Sequence, residues 1–152
     1  MAKQSAGLLL FRKRSRLEVM LVHPGGPFWK NKDAGAWSIP KGEFNDNEDA
    51  LETAQRELKE ETGISVKGKF IPLQCIKQKG GKLVYAWAIQ ADADVSEIKS
   101  NDFEMEWPPY SGKQSKFPEV DKAEWFDLET ARKKINPAQI SFINELETLV
   151  DE

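Results

Sequence analysis

The sequence predicts an α/β fold: a mixed sheet covered by helices. Two observations predict it. Strand-like patterns come first, then one long helical pattern, then more strands and two terminal helices. The 152 residues, 39% hydrophobic and 31% charged, also suit a globular chain with a real core. A single domain over residues 1–152 is expected. The longest apolar runs, residues 7–11 and 64–66, are far short of the roughly 20 residues of a membrane span. The first seven residues lack the apolar core of a secretory signal. The sole cysteine, Cys75, excludes an internal disulfide and a multi-cysteine zinc site. A reduced, cytoplasmic setting is therefore expected. The net charge of −3 argues against a nucleic-acid polymer as the main partner.

Each element follows from local patterning. Residues 5–11 and 17–23 read as a strand pair, the second alternating Leu17, Val19 and Leu21 on one face. Arg12, Lys13, Arg14 and Arg16 between them read as a solvated hairpin tip. Residues 23–36 are a Gly- and Pro-rich loop carrying Phe28 and Trp29. Residues 37–39 are extended, because Pro40 disfavours helix before it. Asn45, Asp46 and Asn47 offer an N-cap to a helix over 47–62, with Leu51, Ala54 and Leu58 inward and Gly63 as a left-handed C-cap. Residues 70–78 and 82–91 read as a hairpin turning at Gly80-Gly81. In its first arm Cys75 is expected to be a buried small residue. Residues 101–118 read as a loop with Trp107-Pro108-Pro109, and 122–127 as the last strand. Asp127 can cap a short helix ending at Lys134, and Pro137 can open a final helix. Its stripe of Ile140, Ile143, Leu146 and Leu149 or Val150 is core packing. His23, beside a proline, is read as structural.

The chemistry lies on the first helix. Glu57, Glu60 and Glu61 stand at i, i+3 and i+4, on one face. Three neighbouring carboxylates repel one another, and a hard divalent cation with oxygen ligands relieves that repulsion. Arg56, four residues from both Glu52 and Glu60, is a second offset. Taken alone, such a row is usually a plain solvated acidic face.

Its surroundings change that reading. Gly42 is followed by five residues, Glu48, seven more, and then Arg56-Glu57-Leu58-Lys59-Glu60-Glu61-Thr62-Gly63-Ile64. This run resembles the Nudix box at every fixed position. Seven fixed residues would coincide by chance on the order of once in a million sequences of this length.

The resemblance extends over nearly the whole chain and implies an α/β/α sandwich with a mixed sheet. It implies an enzyme that hydrolyses a diphosphate linkage with Mg²⁺ or Mn²⁺. Carried onto this sequence, Glu57, Glu60 and Glu61 are the expected metal ligands. Arg56 orients Glu57, and Glu48 plays a supporting part. Gly42 turns the backbone into the helix and offers a metal-facing carbonyl. Metal ions would neutralise the diphosphate and position a water, whose proton a carboxylate takes. In the family that base often lies on a loop before the last strand. Here Glu104, Glu106 and Glu119 are the candidates, with Glu119 preferred and the box glutamates as the alternative source.

The expected substrate is a nucleoside diphosphate derivative, a small molecule. Trp29, Phe28, Trp37 and Trp107 are candidate stacking surfaces for a base, with packing as their alternative role. Lys41 is placed to meet a phosphate. The run Pro40-Lys41-Gly42 is similar to the entry of diadenosine polyphosphate hydrolases of this superfamily. A MutT-like nucleoside triphosphate pyrophosphatase and an ADP-ribose or nucleotide-sugar pyrophosphatase are the other enzyme readings. A nucleotide-sensing module without activity is the reading from another class. Many relatives dimerise, which carries a homodimer to this chain as an expectation, although no apolar stripe is surplus to the core.

Overall fold

A computed structural model describes residues 3–150. Met1 and Ala2, where the segment read as lacking a secretory signal begins, lie outside the described residues, as do Asp151 and Glu152. Strands β1 (Gln4–Lys13) and β2 (Leu17–Pro24) form the expected antiparallel pair, with Phe11 opposite Val19. Strand β1 is buried on both faces: Leu9 and Phe11 enter one core, Leu8 and Leu10 the other. That is why residues 7–11 form a nearly continuous apolar run rather than an alternation.

Strand β3 (Lys41–Phe44) pairs antiparallel with the first half of β1, Ala6 opposite Gly42. Strand β2 takes the second half of β1, so β2 and β3 share one side of the same strand. Helix α1 (Ala50–Thr62) begins later than expected. Its cap is Asp49, whose side chain accepts from the Glu52 N–H at 2.9 Å. The expected cap residues are engaged elsewhere. Asn45 Oδ1 accepts from the Asn47 N–H, and Glu48 Oε1 accepts from the Asn45 N–H. Gly63 ends the helix as predicted, with φ of 79° and its N–H donating to the Lys59 carbonyl at 2.7 Å.

The expected arm over 70–78 consists of two short strands, β4 (Ile71–Pro72) and β5 (Ile76–Lys77). Both pair antiparallel with β6 (Leu83–Gln90), and the turn between them and β6 holds Gly80 and Gly81. Cys75 falls between the two short strands and is exposed, which corrects the expectation that it is buried. Strand β6 runs parallel to β1, which makes the sheet mixed.

The expected loop over 101–118 is instead a hairpin, β7 (Asp102–Glu106) and β8 (Gln114–Pro118). Strand β9 (Val120–Asp127) then joins β2 antiparallel at the sheet edge, giving the order β4-β6-β1-β2-β9. Asp127 caps α2 (Leu128–Lys134) by accepting from the Thr130 N–H at 2.7 Å. A 3-10 turn at Pro137 leads into α3 (Ile140–Val150).

Helix α1 lays Ala54 and Leu58 against Ala6, Leu8 and Leu10. Helices α2 and α3 cover the opposite face with Leu128, Ala131, Phe142, Ile143 and Leu146, while Leu149 is half exposed. The result is the predicted layered sandwich. Each such fully buried aliphatic side chain contributes about 1.5–3 kcal/mol. The basic tip is more tied down than expected: Arg12 pairs with Glu18 and Asp92, Arg14 with Asp92, and Arg16 with Asp127. Among the described residues, no helix is long and apolar enough to cross a membrane.

Candidate active site

The row Glu57, Glu60 and Glu61 lies on the last two turns of α1, next to β3. Arg56 reaches three carboxylates, Glu48 at 3.4 Å, Glu57 at 3.6 Å and Glu60 at 3.7 Å. The sequence had offered Glu52 as a partner; the side chain leans the other way, toward the acidic row. Glu48 is anchored in turn, by the Asn45 N–H and by Arg56. Arg56 thus lies among three carboxylates while staying half exposed itself.

Gly42 has a different local role from the one expected. It is part of β3 and does not turn the chain. A Cβ at this position would stand 2.1 Å from Glu57 Cδ and 2.4 Å from Oε1. Only a residue without a side chain lets the Glu57 carboxylate press against the strand.

Burial and repulsion shape the charges. Glu61 is 8% exposed. Its carboxyl is pushed up to about 8, first by burial and then by Glu57 and Glu119, with Lys41 opposing. Burial and then Glu60 raise Glu57, against Arg56, with Glu119 adding to the rise. Burial and then Glu60 also raise Glu119. Lys41 is lowered, first by burial and then by Lys82, while Glu61 holds its charge in place. Four acidic side chains from two parts of the sequence thus share one field.

Glu119 reaches the row because its backbone is stitched in. Its N–H donates to the Asn101 carbonyl at 2.8 Å, its carbonyl accepts from the Gly25 N–H at 3.0 Å, and the Asn101 N–H donates to the Glu60 carbonyl at 2.8 Å. Glu104 and Glu106 do not approach. They lie on the solvent face of β7, and Glu106 accepts from the Gly112 N–H. Of the three loop candidates, only Glu119 shares the field of the box.

Two cavities meet at Glu119. One, of about 180 Å³, is lined by Lys41, Glu61, Glu119, Ser38 and Pro24. The other, of about 270 Å³, is lined by Phe28, Trp29, Phe103, Met105 and Glu119. Phe103 and Met105 escaped the sequence reading. Their alternation in Asp102-Phe103-Glu104-Met105-Glu106 was the available signal for a strand with one apolar face. Phe28 is 65% exposed, and the Lys32 ammonium lies 4.2 Å above its ring and 5.1 Å above that of Trp29.

Trp37 is a correction. It is 2% exposed, clamped edge-on by His23 and Phe126, and its Nε1 donates to Asp33 at 2.8 Å. Its ring is core and has no free face for a base. Trp107 sits at the hairpin tip and lines neither cavity. His23 is structural as expected, but it has two partners: Asp121 at 2.9 Å and the Lys32 carbonyl at 2.6 Å. It fastens the aromatic loop to β9.

The donor set fits a hard divalent cation: clustered carboxylates, two of them largely buried and raised first by that burial and then by neighbouring carboxylates. Among the described residues no three such side chains already converge as a cage. Arg56, bridging Glu57 and Glu60 from the side, takes up part of the charge that a cation would neutralise.

Comparison with known proteins agrees with this architecture. The NUDIX domain model matches residues 1–146. An RNA pyrophosphohydrolase of Bartonella henselae is 28% identical over 84% of this chain and 78% of its own length. Nudix hydrolase 7 of Arabidopsis thaliana is 29% identical over 68% of this chain, and the match spans 38% of that protein. The fold is similar to that of an Ap4A hydrolase of C. elegans, with a TM-score of 0.68 at 23% identity and 98% of each chain covered. Family match and fold agree, and the chain belongs to the Nudix family of hydrolases.

Proposed function

We propose that the protein hydrolyses the diphosphate linkage of a nucleoside diphosphate derivative in the presence of Mg²⁺ or Mn²⁺, releasing a nucleoside monophosphate and the phosphorylated remainder. The observation that carries this reading is the position of Glu119. It borders both the carboxylate cleft and the aromatic cavity. One residue thus adjoins a site suited to phosphate and a site suited to a base.

Glu57, Glu60 and Glu61, with the Gly42 carbonyl, would hold the cation. When bound, it screens the charge of the diphosphate and polarises its oxygens. Lys41, beside Glu61, faces a phosphate oxygen. Glu119 accepts a proton from water as the water oxygen forms its bond to phosphorus and the bridging oxygen departs with the leaving group. Its raised affinity for protons suits that task. Trp29 and Phe28 stack the base, a contact worth about 1–3 kcal/mol. Arg56 keeps Glu57 in place without touching substrate.

A dinucleoside polyphosphate is the favoured member of this class, supported by Pro40-Lys41-Gly42 and by the fold of the C. elegans protein. The test is a substrate panel with product identification, covering diadenosine polyphosphates, (d)NTPs, ADP-ribose, sugar nucleotides and a 5′-triphosphorylated RNA. Mg²⁺-dependent release of a nucleoside monophosphate is expected, with loss of activity in Glu119→Gln. Nucleotide binding with no turnover of any member would replace the enzyme reading with a sensor.

A further inference from the structure

His23 is the sole histidine of the chain, near the end of β2, and only 2% exposed. Both ring nitrogens are engaged. Nδ1 lies 2.9 Å from a carboxylate oxygen of Asp121, and Nε2 lies 2.6 Å from the Lys32 carbonyl oxygen. A carbonyl oxygen and an ionised carboxylate only accept hydrogen bonds, whereas a neutral imidazole has one N–H and one lone pair. With the N–H directed at Lys32, a neutral ring would set the Nδ1 lone pair against a carboxylate oxygen. The pair needs one further proton to make both bonds, and imidazole is a stronger base than a carboxylate.

Strand pairing brings Asp121 to this position. His23 is opposite Lys122 and Pro24 opposite Val120, which leaves Asp121 as the extra residue of a bulge in β9. A bulge re-aims the side chain that it adds. The Lys122 ammonium lies 5.5 Å from the centroid of Trp37, the ring that packs edge-on against His23. On the loop side, Asp33 accepts from Trp37 Nε1 and is paired with Lys134 of α2. The Lys32 ammonium is turned away, over Phe28 and Trp29. Among the described residues, Asp121 is the charged side chain that bonds the ring.

The far end of this clasp holds the aromatic turn. The Lys32 N–H donates to the Trp29 carbonyl at 2.9 Å, the Trp29 N–H to the Gly26 carbonyl at 3.3 Å, and the Gly25 N–H to the Glu119 carbonyl at 3.0 Å. The turn carrying Phe28 and Trp29 is thus tied at its start to Glu119 and at its end to His23. We propose that His23, as an imidazolium clasped between Asp121 and the Lys32 carbonyl, positions the Trp29 turn for the nucleotide, so that nucleotide binding is linked to one proton. His23 is a positioning residue and does not touch substrate. Loss of the proton turns the Nδ1 lone pair toward Asp121 and loosens the turn, so affinity falls as pH rises through that loss. Linkage is reciprocal: bound nucleotide holds the proton more tightly. The inference rests on the reading of Trp29 as the surface that stacks the base.

The test joins nitrogen-15 NMR of the ring, unambiguous in a chain with one histidine, to calorimetric binding of adenosine 5′-monophosphate with Mg²⁺ across a pH series. Wild type is compared with Asp121→Asn and Asp121→Ala. Asp121 is the partly exposed member of the pair, so changing it spares the core. An Asn amide donates to Nδ1, so in Asp121→Asn a neutral ring keeps both bonds and the clasp no longer needs the proton. In wild type Nδ1 is expected to lose its proton as pH rises while Nε2 keeps its own. Over that range wild-type affinity should fall roughly three- to tenfold relative to Asp121→Asn, the worth of one hydrogen bond. Taking the ratio at each pH cancels the titration of the ligand phosphate. Adenosine 5′-monophosphate should move the loss of the Nδ1 proton to higher pH, and Asp121→Ala should bind more weakly than Asp121→Asn throughout. A ratio that stays flat with pH, an Nδ1 titration that the nucleotide does not move, or Asp121→Ala binding as tightly as Asp121→Asn overturns the proposal. Failure of the nucleotide-site reading shows separately, as adenosine 5′-monophosphate binding that Trp29→Ala leaves unchanged.

Discussion

Glu57 occupies the space that a side chain at Gly42 would fill, with its Cδ 2.1 Å from where a Cβ would stand. Strand β3 and the first carboxylate of the acidic row are therefore fitted to each other. Gly42→Ala is expected to displace the carboxylate rather than the strand, because a Glu side chain can swing toward solvent. Activity should fall at least about tenfold, a loss of transition-state stabilisation of about 1.4 kcal/mol or more, while the melting temperature changes little. A variant with full activity would show that Glu57 need not sit against β3.

Glu119 is the loop carboxylate that shares the field of the box. Glu119→Gln keeps shape and removes the proposed base, so kcat should fall by about 10²–10⁴ with little change in KM. Glu104→Gln and Glu106→Gln, on the solvent face of β7, should leave kcat within a factor of two of wild type. The reverse pattern would move the base to the hairpin.

The two tryptophans near the loop should separate cleanly. Trp29→Ala removes a stacking face and should weaken nucleotide binding by about 5- to 100-fold, with modest effect on stability. Trp37→Ala empties a core position and should cost about 3–5 kcal/mol of folding stability. Denaturant titration and nucleotide affinity, measured on both variants, check the contrast.

Proton and metal binding should compete. Glu61 loses its proton near 4.5 in the unfolded chain and near about 8 in the folded, metal-free protein. Between these values the folded state holds the extra proton, so this group's contribution is fully present below 4.5 and is lost as pH rises through about 8. The melting temperature of metal-free wild type, measured relative to Glu61→Gln, should fall across that window. Mg²⁺ should restore more of it at the alkaline end, where fewer protons must be displaced. A difference that rises with pH would contradict the assigned burial of Glu61.

Local patterning made most of this fold readable. The caps at Gly63 and Asp127, the stripe on α3 and the pairing of β1 with β2 depend on residues close in sequence. What was missed depends on partners far away. Asp49 caps α1 because Asn45 and Glu48 are engaged in their own turn. Trp37 is core because His23 and Phe126 close on it. Cys75 is exposed because the strand breaks around it. The box glutamates were legible because helical spacing brings them together. The aromatic cavity was only half legible, since Phe103 and Met105 come from a hairpin that read as loop.

The acidic row on α1 is proposed to bind the cation on which diphosphate cleavage depends. The most direct measurement is Mg²⁺-dependent release of nucleoside monophosphate from a dinucleoside polyphosphate, comparing wild type with Glu60→Gln. Losing one carboxylate ligand should lower the rate at least about a hundredfold and raise the Mg²⁺ concentration needed for half-maximal activity. An unchanged rate with an unchanged Mg²⁺ requirement would contradict the account.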